Sequence, residues 1–115
     1  MTWYYLRKRD VNSLQILRDI QTAWNTLDPK LIIKHLDKSF VYDSQWVFAS
    51  LDYEGYISYI TEKFKTIKKT KAFVEATIIG DGNTIKLNQK GNIAYYCVKI
   101  EGNKIIKADM CMFIN

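Results

Sequence analysis

The closing stretch IEGNKIIKADMCMF, residues 100–113, alternates apolar and polar side chains on both sides of a Gly102-Asn103 pair. Glycine at the first central position suits a type II′ turn, so the pattern predicts a β-hairpin with a two-residue loop. Residues equidistant from the loop then face each other. Tyr96 is expected opposite Asp109, and Cys97 opposite Ala108.

Working back along the chain, period-two alternation also runs through 72–79, 84–90 and 93–101. A Gly91-Asn92 loop sets Leu87 against Tyr96 and Ile85 against Val98, while a GDGN loop sets Ala76 against Leu87 and Ile78 against Ile85. One sheet face is therefore predicted to carry Val74, Ala76, Ile78, Ile85, Leu87, Ala94, Tyr96, Val98, Ile100 and Ile105, continued by Lys107, Asp109, Cys111 and Phe113. This face is expected to be the inner one. The other is polar at Glu75, Thr77, Lys86 and Asn88 and turns apolar at Ile93, Tyr95, Ala108, Met110 and Met112. An exposed apolar patch of that kind predicts a partner, most simply a homodimer formed through the sheet.

Before residue 72 the period is helical. Ile16, Leu17, Ile20, Ala23, Trp24 and Leu27 recur at three- and four-residue steps, predicting a helix that starts near Asn12, with Asn12 as cap and Gln15 reaching back. Asp28 before Pro29 signals a second, short helix over 29–37. Tyr56, Ile57, Ile60, Phe64 and Ile67 mark a third. Between the second and third lies FVYDSQWVF, residues 40–48, a strand with Val41, Asp43, Gln45 and Val47 on one side and Tyr42 and Trp46 on the other. The class is α+β: three helices in the N-terminal half, packed on an antiparallel sheet.

At 115 residues and 48% hydrophobic composition, with one proline and no linker-like tract, the chain is expected to form one domain over 1–115. The net charge of +5 is compatible with an acidic ligand. Lys63, Lys65, Lys68, Lys69 and Lys71 crowd the end of the third helix, where cations suit the helix dipole, as a solvated end or a phosphate-contacting patch. No aromatic interleaving or RNP-like motif accompanies them, which argues against nucleic acid. The start, MTWYYLRKRD, places basic residues after a short apolar run, the reverse of a secretory signal, and no apolar run has membrane-spanning length. A cytoplasmic protein with free Cys97 and Cys111 thiols is the expectation. One histidine, His35, and no clustered cysteines predict no metal site, and no motif implies a cofactor.

The runs AWNTLDPKLIIKHLDKSFVYDS and EGYISYITEKF, followed by the terminal hairpin, together resemble the nuclear-transport-factor-2-like superfamily from about Asn12 to Asn115. That superfamily also holds ketosteroid isomerases, scytalone dehydratases, limonene epoxide hydrolases and polyketide cyclases. The resemblance implies a curved, cone-shaped sheet wrapped around a helix to leave an apolar pocket, commonly in a homodimer, with residues 1–11 as an N-terminal extension. It gives Asp43, in the run YDS, the position of the isomerases' general-base aspartate, and Tyr96 the position of their oxyanion-hole acid. The isomerases' first-helix tyrosine has no clear counterpart, Trp24 and its neighbours being nearby.

Asp109, opposite Tyr96 on the predicted register, would orient that hydroxyl or satisfy a polar pair in the core. Trp24, Gln45, Lys107 and Cys111 are further candidates for ligand contact. Three readings follow. The first is a domain binding a small apolar or polycyclic molecule in its cavity. The second is an isomerase, dehydratase or cyclase-type enzyme with Asp43 as base, and the third a homodimeric interaction module.

Overall fold

The computed structural model describes residues 11–44, 49–80 and 82–112. The N-terminal extension through residue 10, the segment Gln45, Trp46, Val47 and Phe48, and Phe113 lie outside the described residues. Three helices and five strands follow in the order α1 (Val11–Thr26), α2 (Lys30–Ile33), β1 (Leu36–Ser44), α3 (Tyr53–Lys69), β2 (Glu75–Ile79), β3 (Thr84–Gln89), β4 (Asn92–Glu101) and β5 (Lys104–Cys111). No helix among them is long and apolar enough to cross a membrane.

The α+β class stands, with the helices against one face of a single sheet ordered β1-β5-β4-β3-β2. The sheet is mixed rather than wholly antiparallel, because β1 joins β5 in parallel. Only a crossover allows that pairing, and α3 with the three strands after it provides one. The second helix is shorter than its sequence pattern and the strand starts earlier, since Leu36 already pairs with Ile105.

Helix α1 buries Ile16, Leu17, Ile20, Ala23 and Trp24, the predicted stripe. It is described from Val11, one residue from the expected start, but the expected capping is not the arrangement found. Asn12 lies inside the helix, and Gln15 turns forward to donate from Nε2 to Asp19 Oδ1 at 3.1 Å. Helix α3 buries Tyr56, Ile60, Phe64 and Ile67 and is capped by Asp52, whose carboxylate accepts from the Gly55 N–H at 2.8 Å. His35 pins α1 to the turn after α2 through Asp19, Nε2 to Oδ2 at 2.7 Å.

Both edges of the sheet are engaged at one residue each. On β2, Ala76 donates its N–H to Asn25 Oδ1 at 2.7 Å and accepts at its carbonyl from Gln21 Nε2 at 2.9 Å, both side chains coming from α1. On β1, Tyr42 exchanges two backbone hydrogen bonds with Leu51, at 2.8 and 2.9 Å.

The strand registers decide which residues face inward. The β2–β3 pairing is the one predicted, with Ala76 opposite Leu87 and Ile78 opposite Ile85. The β3–β4 loop is Lys90-Gly91 rather than Gly91-Asn92. Both loop residues have positive φ, 55° and 85°, which is the signature of a type I′ turn. Ile85 therefore meets Tyr96 and Leu87 meets Ala94, a slide of two residues that leaves the faces unchanged.

The β4–β5 hairpin begins on the predicted register, with Glu101 opposite Lys104 and Ile100 opposite Ile105, and then slips by one residue at an irregularity between Lys99 and Ile100. Beyond it Cys97, not Tyr96, stands opposite Asp109, and Tyr96 stands opposite Met110. One extra residue on β5 inverts every side chain that follows. Ala108 and Met110 are consequently buried with Tyr96, while Lys107, Asp109 and Cys111 turn to the outer face. The apolar outer patch expected from the sequence thus loses Ala108 and Met110 to the core.

A cavity between helices and sheet

Trp24, near the end of α1, is fixed by edge-on contacts to Phe64 of α3, with ring centroids 4.8 Å apart, and to Tyr96 of β4, at 5.8 Å. It forms one wall of a cavity of about 220 Å³. Helix α3 adds Tyr59 and Lys63, one turn apart beside its buried stripe. Val74 closes the side leading into β2. The floor comes from Leu87 and Gln89 of β3, Ile93 and Ala94 of β4 and Met110 of β5, with Asn92 at the hairpin turn and Met112 past the end of β5.

Most of this lining is apolar. The lining residues with polar side chains are Lys63, Gln89, Asn92 and Tyr59, and Trp24 adds its ring. Trp24 is 2% exposed, and its Nε1 is the one buried side-chain nitrogen or oxygen among the described residues without a hydrogen-bond partner. A buried donor left unpaired costs about 1–3 kcal/mol, which is unusual enough to require a reason. Lys63 places its Nζ 5.7 Å from the centroid of the Tyr59 ring, within cation–π range.

Beneath the cavity lies a tyrosine cluster. Tyr42 stacks at a tilt on Tyr56, 4.6 Å between centroids, and on Tyr59, at 5.5 Å. The Tyr56 and Tyr96 hydroxyls share a hydrogen bond of 2.7 Å. Burial, above all else, pushes the Tyr42, Tyr56 and Tyr96 hydroxyls above the ordinary tyrosine range, so all three stay neutral.

Asp43 sits elsewhere. Phe40 and Tyr42 take the inner side of β1, and Asp43 the outer, with Val41. Its carboxylate accepts from Ser50 Oγ and lies 3.7 Å from Lys107 Nζ, with the Asp43 side chain 43% exposed. Its cross-strand neighbour is Asp109, and Cys97 faces Asp109 from the other side. The outer face thus gathers Asp43, Lys107, Asp109 and Cys111, while Tyr96 is enclosed in the core and Trp24 lines the cavity. The sequence-predicted constellation is divided between the two sides of the sheet.

No protein-family model matches the sequence, and no curated protein does. Solved structures do match in shape. A SnoaL-like protein of unknown function from Burkholderia thailandensis superposes with a TM-score of 0.68 at 18% identity, over 90% of this chain and 96% of that one. A nuclear-transport-factor-2-like protein from Mesorhizobium loti gives 0.72 at 11% identity, over 92% and 94%. This chain has the nuclear-transport-factor-2-like fold. A protein with a ketosteroid-isomerase-like fold from Catenulispora acidiphila, solved with trimethylamine, shares it with a TM-score of 0.53 at 16% identity, over 84% and 83%.

The hollow lies between helices and sheet, and of the contact residues singled out from the sequence Trp24 lines it. Tyr59, Lys63, Gln89 and Asn92 were not anticipated as lining residues. Lys63 was masked by the lysine run in which it sits. Its spacing of four from Tyr59 was the available signal.

Proposed function

We propose that the protein binds a small, apolar, ring-sized molecule in the cavity walled by Trp24. The observation that carries this reading is the mostly apolar hollow of about 220 Å³ between helices and sheet, walled by the Trp24 ring and holding few polar side chains, Lys63, Gln89 and Asn92 among them. The volume narrows the ligand. A cavity of about 150 Å³ accepts benzene, so about 220 Å³ accommodates one substituted ring.

Catalysis by Asp43 receives less support, because the carboxylate is paired with Ser50 and Lys107 on the outer face and is absent from the cavity lining. The test is a titration with benzyl alcohol, followed by the Trp24 indole N–H resonance in ¹⁵N–¹H spectra and assigned with a Trp24→Phe variant. Saturable movement of that resonance is expected. An unmoved resonance, with benzyl alcohol also failing to raise the melting temperature, overturns the reading.

A further inference from the structure

Among the residues that line the cavity, Lys63 alone carries a formal charge. Its surroundings leave that charge unanswered. The neighbouring Glu62 carboxylate pairs with Lys65 at 3.6 Å, and the chain has no further acidic residue until Glu75. Asp19 is held by His35 and Lys34, and Asp43 by Ser50 and Lys107. No ion pair to Lys63 exists among the described residues. The contact found for it is the Tyr59 ring, which lines the same cavity.

We infer that the ligand carries an anionic group, a carboxylate on a single ring, which the Lys63 ammonium recognises; this rests on the cavity being a ligand site. The donor chemistry leads to the same class. An ammonium has three donors and no acceptor, so the one charged side chain of the cavity lining calls for acceptor atoms. Gln89 and Asn92 carry neutral amides that adapt to either role. A carboxylate supplies several lone-pair sites, and its charge-assisted bonds to an ammonium are about twice as strong as neutral ones. In a recess partly closed to water the effective dielectric falls, so the sign of the ligand's charge discriminates strongly. A cationic ligand meets repulsion from Lys63 and from the net charge of +5.

A matched series of one ring with three charges tests this on the intact chain: benzoate, benzyl alcohol and benzylamine, each followed at the Trp24 indole resonance at neutral pH. Benzoate is expected to bind at least tenfold more tightly than benzyl alcohol, with benzylamine weakest. Lys63→Gln is expected to erase the advantage of benzoate over benzyl alcohol. Raising the salt to about 1 M, where the Debye length is about 3 Å, should shrink the advantage in the unmodified protein, so the test does not depend on the variant folding. Equal binding of benzoate and benzyl alcohol, or tighter binding of benzylamine, overturns the inference and leaves the cavity reading intact. Silence from all three probes removes both.

Discussion

The hydroxyl oxygens of Tyr56 on α3 and Tyr96 on β4 lie 2.7 Å apart, and both residues are 0% exposed. Each hydroxyl is satisfied by the other. Tyr96→Phe should therefore cost about 1–3 kcal/mol by stranding the Tyr56 oxygen, and Tyr56→Phe a similar amount. The double variant should cost clearly less than the sum, a coupling readable from urea unfolding of the four proteins. Additive costs would mean that the two hydroxyls do not depend on each other.

Trp24→Phe is expected to behave unlike an ordinary reduction of a core side chain. The loss of indole volume destabilises, but the substitution also removes a buried donor that lacks a partner, worth about 1–3 kcal/mol in the opposite direction. Stability within about 1 kcal/mol of the parent, together with weaker benzyl alcohol binding, is the predicted result. A loss of several kcal/mol would show that the indole N–H is already satisfied in solution.

Ala94→Leu extends a side chain into the cavity from the β4 floor. Filling unused space commonly adds about 0.5–2 kcal/mol. The melting temperature should rise while ring compounds lose at least tenfold in affinity, and isothermal titration beside thermal melting reads both. Unchanged affinity would place the ligand elsewhere.

Asp19 gives a prediction in acid. Burial pushes its carboxyl up, but the hydrogen bonds from His35 and Gln15 and the nearby Lys34 charge outweigh it and hold the group below its ordinary 3.8. A carboxyl with a depressed folded value favours folding when ionised, so its contribution is complete above 3.8 and drains away as the pH falls through the lowered value. The stability gap between the parent and Asp19→Asn should thus be full at about pH 5 and close in stronger acid. A gap independent of pH would refute the linkage.

Lys71 closes α3 in the left-handed region, φ 58°, and is exposed. Glycine adopts that conformation without the penalty a side chain incurs. Lys71→Gly should raise stability by about 0.5–1 kcal/mol, as read by urea midpoint.

What could be read in advance follows from where the chain is regular. The apolar stripes of α1 and α3 and the Ala76–Leu87 register were legible, because uninterrupted periodicity and a four-residue loop leave one arrangement. The Lys90-Gly91 loop was not, since it places a lysine at a positive φ where glycine would be expected. The face of Asp109 was misjudged because the slip at Lys99 and Ile100 carries no composition signal of its own. The one hint was the adjacent Ile105 and Ile106, which break the alternation. Ile105 and Ala108, three apart instead of two, are both fully buried. Trp24, a contact candidate from the sequence, lies in the cavity wall, yet its unpaired N–H depends on distances that no periodicity encodes.

The side chains of Gln21 and Asn25, which already grip Ala76, and the backbone of Leu51, which grips Tyr42, occupy the positions where a stranger's strand would form its first rungs. Sideways growth into a fibril is thereby obstructed on both flanks, on one of them by the same helix that carries Trp24. Loosening of α1 would expose a sticky border at the moment it opened the hollow, tying protection of the sheet edge to the integrity of the pocket.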